Sequence, residues 1–263
     1  MFGVSDFSTS EPLLNAERII GSGLDFIEPG LAKVAAMTET DFKQAVQRIQ
    51  EAGIRVQSMN WFLPPSLKVV GPEADSVAQR NFLEGAFARA AKLGAKAIVL
   101  GSPGSRSIPE GFLGEEARAQ MVAFCRLAAD VIRENGYAIK IAVEHVNHTE
   151  TNFLNTFAQA HDLVREIARD EIGLAADFYH FEMENESMEV MKSAADLICA
   201  VQIANPDGRC FPKLEAEMPR VDRFFEVLAE IGYEAGISVE ATPSADLEAD
   251  CQAAAAFFRH HSR

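Results

Sequence analysis

Eight times along its length the chain alternates a short apolar run with a longer stretch in which apolar residues return every three or four positions. The short runs are Phe2–Asp6, Leu24–Glu28, Arg55–Asn60, Ala97–Gly101, Ile139–Glu144, Ile172–Asp177, Cys199–Asn205 and Gly236–Glu240. Continuous apolar segments such as AIVL and IAV suit strands buried on both faces, as parallel strands are. The intervening stretches, FLEGAFARAAKL and EARAQMVAFCRLAADVIREN among them, carry the period of amphipathic helices. Gly53, Gly94, Gly136 and Gly232 each stand between a helical stretch and a strand, where a left-handed C-terminal cap belongs. Eight strand–helix units with no low-complexity linker predict a closed (β/α)8 barrel, one α/β domain over residues 1–263, rather than an open sheet. The first strand is not followed by a glycine-rich fingerprint, which weighs against a dinucleotide-binding fold.

Composition narrows the classes of partner. The formal net charge of −15 opposes a nucleic-acid partner, because phosphate binding needs clustered Lys and Arg. The longest apolar runs fall well short of the ~20 residues of a membrane span. The start, MFGVSDFS, lacks a basic region leading into an apolar stretch, so a cytoplasmic location is expected. Cys125, Cys199, Cys210 and Cys251 show no metal-type spacing and read as reduced thiols.

Four polar positions repeat one placement. Glu144, Asp177, Gln202 and Glu240 are each the last polar residue after an apolar run, in IKIAVEH, IGLAADFYH, ICAVQIAN and GISVEATP. A lone carboxylate at a strand end commonly caps the next helix. The same placement on four successive strands, at the barrel end where such folds hold their active sites, points to one convergent site. Its oxygen-rich character suits a hard divalent cation, Mn²⁺ or Mg²⁺, with Co²⁺ as a further candidate.

Three segments carry a resemblance. They are E-x-x-N-x-x-E-T-N-F-L-N-T over Glu144 to Thr156, D-x-x-H over Asp177 to His180 followed by Glu184, and the closing S-V-E at Glu240. With the eightfold pattern, and with GSPGSRSIPEGF after the fourth strand, the chain resembles the xylose-isomerase-like TIM barrel superfamily over essentially its whole length. It is most similar to the branch of ketose 3-epimerases, hydroxypyruvate-isomerase-like proteins and inosose dehydratases. The resemblance implies a divalent metal held by Glu144, Asp177, Gln202 and Glu240. Gln202 departs from the family, which usually has His there; an amide oxygen ligates Mn²⁺ or Mg²⁺ but disfavours Zn²⁺.

The implied activity is a sugar isomerase or epimerase that removes a proton beside a carbonyl and passes through an enediolate. Glu144 and Glu240 are its implied base and acid, and His180 and Arg209 hold substrate oxygens. Glu150 stands open between a substrate contact and an anchor for a hydrogen-bond network. Trp61 is open between a wall over a sugar and packing, with Phe62 beside it. Phe7 and Glu28, ending the first two strands, are candidate pocket residues, and Arg106 is a weak candidate for a phosphate. His148 stands where ketose 3-epimerases often carry Arg.

Three rivals remain on the same residues. A lyase or dehydratase acting on an oxo-sugar or inosose shares the enediolate, a sugar-binding barrel without catalysis is favoured only by Gln202, and a DNA-repair endonuclease is opposed by the acidity and the few histidines. The expected partner is a small-molecule sugar, with neither nucleic acid nor membrane. By resemblance the chain pairs as a homodimer or homotetramer.

Overall fold

A computed structural model describes residues 1–261 and gives a single sheet of nine parallel strands interleaved with helices. The strands are β1 (Phe2–Ser5), β2 (Phe26–Glu28), β3 (Arg55–Val56), β4 (Ser58–Met59), β5 (Ala97–Leu100), β6 (Lys140–Glu144), β7 (Ile172–Asp177), β8 (Ile198–Ile203) and β9 (Ile237–Val239). Their spatial order is β3-β2-β1-β9-β8-β7-β6-β5-β4. Because β3 and β4 are consecutive, split only at Gln57, the two ends of the sheet lie on one stretch of chain and the sheet curls into a nearly closed barrel. The barrel expected from the sequence is therefore present, and the ninth strand is the third expected one broken in two. All four glycines expected to close helices adopt positive φ, from 64° at Gly53 to 88° at Gly94.

Alternation along each strand separates two cores. Outward residues such as Ile98, Ile141, Val143, Leu174, Val201 and Ile203 pack in the continuous core between sheet and helices. On the inside, Ala97, Val99, Ala142, Ala175 and Ala200 form a second, smaller cluster contributed by β5 to β8. The other inner wall is polar: Ser5, Glu28, Ser58, Ser238 and Gln202 are all buried there. Small residues on one side leave room for the longer polar side chains of the other. Among the described residues no helix is long and apolar enough to cross a membrane.

Candidate active site

Glu144 and Asp177 are the last residues of β6 and β7, Gln202 lies one residue before the end of β8, and Glu240 follows β9. All four are buried at the carboxyl ends of neighbouring strands, and Asp177 pairs in register with Gln202. Beside them opens a cleft of about 210 Å³, lined on its polar side by Asn60, Glu144, Glu150, His180, Arg209 and Glu240. Leu63, Pro65, Val99, Pro103 and Val146 form its apolar side, with Phe7 and Trp61 at the rim.

The two oxygens of Asp177 divide two jobs. Oδ1 accepts the Tyr179 N–H at 2.9 Å and caps the helix Phe178–Met183. Oδ2 is buried without a hydrogen-bond donor among the described residues, as are Glu144 Oε1 and Gln202 Oε1. Capping thus engages one oxygen of Asp177 and leaves the other free, so the two alternatives open in the sequence do not exclude each other here.

Glu240 is held differently. Its Oε1 accepts from Asn60 Nδ2 at 2.9 Å and its Oε2 from Arg209 Nη2 at 2.8 Å. Arg209 also donates to Glu150 Oε1 at 2.8 Å, and its guanidinium lies 4.4 Å from the ring centres of both Phe7 and Tyr179. Glu150 is fixed from the other side by Asn147 Nδ2 at 2.9 Å.

His180 Nε2 faces Glu144 Oε1 at 3.5 Å and Asp177 Oδ2 at 3.6 Å. One ligand atom each from Glu144, Asp177 and His180 falls within 4.8 Å of the others, spacing that would admit a metal ion. The backbone N–H of Asn147 donates to His180 Nδ1 at 3.2 Å, so that nitrogen keeps its lone pair and the ring proton sits on Nε2. His180 thus presents a donor to the site, which favours holding an oxygen over ligating a cation. Burial, reinforced by His145 and Arg209, keeps it neutral well below the usual histidine range.

Burial dominates the carboxylates. It drives Glu144 well above the ordinary range, helped by the nearby charges of Glu240 and Asp177. Asp177 is pushed up to about 6 by burial against the pull of Arg209. Glu240 reaches about 8, again by burial opposed first by Arg209. Repelling carboxylates whose oxygens lack donors form a set that a divalent cation would relieve. The free oxygens of Glu144, Asp177 and Gln202 therefore fit a metal, whereas both oxygens of Glu240 already accept hydrogen bonds, from Asn60 and Arg209.

Other expectations fared unevenly. Trp61 stands at the cleft mouth, 46 % exposed, with φ of 42°, while Phe62 is buried among Phe82, Phe87 and Phe124. Phe7 lines the cleft as expected. Glu28 does not: it lies fully buried below, bonded to Ser5, Ser58 and Gln202. Arg106 is also fully buried and donates to the Glu144 carbonyl at 2.8 Å, so it cannot meet a phosphate from solvent. His148 is exposed and bonded to Glu184 through Nδ1 at 2.6 Å.

Two participants were missed. Asn60 ends the third expected strand, the same placement that singled out the four ligand candidates, and that signal would have found it. Gly101 ends the fourth; a Cβ there would collide with Glu144 Oε2, so its hydrogen makes room for the carboxylate. No residue signal short of the packed structure reveals that approach.

The profile of the xylose isomerase-like TIM barrel family matches residues 17–261, and the chain belongs to that family. Among curated relatives, the inosose isomerase of Bacillus licheniformis is 39% identical over 82 residues, 31% of this chain and 28% of that protein. The chain thus aligns with under a third of that relative's length. Among solved structures, a D-allulose 3-epimerase from Methylomonas sp. superposes with a TM-score of 0.83 at 23% identity, covering 99% of this chain and 97% of that one. The IOLI protein with a bound zinc atom gives a TM-score of 0.73 at 20% identity, over 99% of this chain and 96% of that one. At such identities the structural likeness speaks for the fold.

Proposed function

We propose that the chain is a divalent-metal-dependent sugar isomerase or epimerase that moves a proton on carbon next to a ketose carbonyl. The observation carrying this reading is the set of unpaired buried oxygens of Glu144, Asp177 and Gln202 at neighbouring strand ends, beside a part-apolar cleft that Glu144 and Glu240 line. The similarity to an inosose isomerase and to ketose 3-epimerase folds supports the same chemistry. A Mn²⁺ or Mg²⁺ ion held by Glu144, Asp177, Gln202 and Glu240 would supply Lewis-acid polarisation of the carbonyl and so acidify the adjacent C–H.

The protein's own groups do the rest. Glu144 and Glu240 enter from β6 and from the end of β9, so a sugar carbon between them meets a carboxylate on each face. One removes the proton and the other returns it, which inverts or relocates the centre. The His180 Nε2–H and the Arg209 guanidinium donate to substrate oxygens as negative charge develops there. Glu150 holds Arg209 in place and accepts from a sugar hydroxyl. Apolar Leu63, Pro65 and Val146 line the same cleft and limit the water around the substrate.

The test is proton NMR of a ketose panel, including D-fructose and D-allulose, in deuterated water with and without Mn²⁺. Metal-dependent deuterium incorporation at one carbon, with formation of the epimer or isomer and no dehydrated product, is expected. Incorporation accompanied by loss of water would convert the reading to a lyase. The absence of exchange on every substrate, with or without metal, would refute proton-transfer chemistry on these sugars.

A further inference from the structure

Gln202 is the residue that sets this site apart from a histidine-bearing one, and an amide raises a problem that imidazole does not. Its oxygen and nitrogen ends are nearly the same size and related by a half-turn about one bond. Only the oxygen end attracts a cation, so something must decide which end points to the site. Gln202 is fully buried on the inner face of β8, where water cannot make that choice.

The answer lies across the barrel interior. Gln202 Nε2 donates to Glu28 Oε1 at 2.7 Å, while Gln202 Oε1 is left without a donor beside Asp177. Glu28 is surrounded by donors: Ser5 Oγ donates to Oε1 at 2.6 Å and Ser58 Oγ donates to Oε2. A carboxylate fed by hydroxyls from both sides offers its neighbour only acceptor lone pairs. Turning the Gln202 amide over would set oxygen against oxygen at Glu28 and aim the N–H₂ at the Glu144–Asp177 cluster. One end would lose a hydrogen bond, and the other would repel a cation.

We propose that Glu28 is a positioning residue that locks the Gln202 amide with its oxygen toward the Glu144–Asp177 cluster, making Gln202 an oxygen ligand for a hard cation. The ligand half of this statement rests on the metal-dependent reading above; the lock is a property of the protein alone. Glu28 touches no substrate, since it lies beneath the cleft and outside its lining. The polar inner wall of Ser5, Glu28, Ser58 and Gln202 thereby gains a purpose beyond filling the barrel. Support at one remove from a metal commonly changes affinity by about 10–100-fold when it is lost.

Two measurements on the full chain test the two halves separately. The first is hydrogen exchange of the Gln202 side-chain amide in metal-free protein, followed by NMR with ¹⁵N-labelled glutamine and assigned by its loss in Gln202→Met. Protection is expected in wild type and in Glu28→Gln, which keeps an acceptor oxygen, and its loss is expected in the near-isosteric Glu28→Met. Fast exchange in wild type, or equal protection in Glu28→Met, would overturn the lock.

The second is Mn²⁺ titration by calorimetry of wild type, Glu28→Met, Gln202→Met and the double variant, with circular dichroism to establish folding. Each single substitution is expected to weaken binding about tenfold, and the double variant no further than either, because both remove one interaction. Additive losses would assign Glu28 a merely structural role and refute the positioning claim. A wild type that shows the protected amide yet binds no Mn²⁺ at millimolar concentration would sink the metal-dependent function while leaving the lock standing. If Glu28→Met fails to fold, Glu28→Gln with Mn²⁺ affinity more than tenfold below wild type would count against the proposal.

Discussion

Glu28 and Glu144 are buried on different inner walls of the barrel and are treated in opposite ways. Glu28, on the polar wall of β1, β2, β4 and β9, receives hydrogen bonds from Ser5, Ser58 and Gln202. Glu144, above the alanine-lined wall of β5 to β8, has one oxygen with no donor and two carboxylates for neighbours. Burial raises both above the ordinary carboxylate range. Desolvation alone therefore does not mark a reactive group. What distinguishes Glu144 is unspent acceptor capacity in a buried place, which is costly unless something binds there.

The largest expected effect sharpens that contrast directly. Glu144→Gln keeps shape and removes the base, so kcat for isomerisation should fall about 10³-fold, while thermal unfolding of the metal-free protein should shift upward because a buried carboxyl that resists ionisation is gone. A variant that retains more than a tenth of wild-type kcat would return Glu144 to the same structural standing as Glu28. Next comes Gly101→Ala, whose added methyl occupies the place of Glu144 Oε2. Displacing that carboxylate by about 1 Å is expected to cost roughly 10²-fold in rate. Steady-state kinetics beside an unchanged circular dichroism spectrum would check it.

The buried carboxylates at the strand ends also predict an unusual pH response. Asp177 and Glu240 have folded-state values of about 6 and about 8, above their ordinary ones. Their protonated forms favour the folded state below the unfolded values, and that contribution is lost as pH rises through 6 and then 8. Metal-free protein should therefore lose on the order of 5 °C of melting temperature between pH 5.5 and pH 8.5. Saturating Mn²⁺ should abolish or reverse the trend, since binding requires the deprotonated forms. Scanning calorimetry across that range decides it; an apo melting temperature that climbs with pH would contradict the burial argument. The smallest effect belongs to the cleft rim. Trp61→Ala should raise KM roughly fivefold, equivalent to about 1 kcal/mol of ring contact, with kcat nearly unchanged.

The barrel was largely legible because parallel strands buried on both faces leave continuous apolar runs, and Ile172–Asp177 coincides with the strand observed. The break at Gln57 was not, since whether one residue leaves the ladder depends on closing the ring rather than on local pattern. Strand-end placement brought Glu144, Asp177, Gln202 and Glu240 together, and the same logic reaches Asn60. Depth was the hidden variable. Period two tells inward from outward but not how far down the barrel a side chain sits, so Glu28 read as a pocket residue. Arg106 read as a weak phosphate candidate because a glycine-rich loop gives no sign that it folds back over the end of β6 to reach the Glu144 carbonyl.

Arg209 carries one more consequence. It is held at a left-handed φ of 46°, between the Phe7 and Tyr179 rings and two carboxylates. A free arginine side chain gives up about 2 kcal/mol of rotamer freedom when it is immobilised. Here that freedom is surrendered once, when the chain folds, instead of at each encounter with a ligand. A molecule arriving in the cleft meets a cation already aimed, and its own binding energy remains available for orienting the bond that reacts.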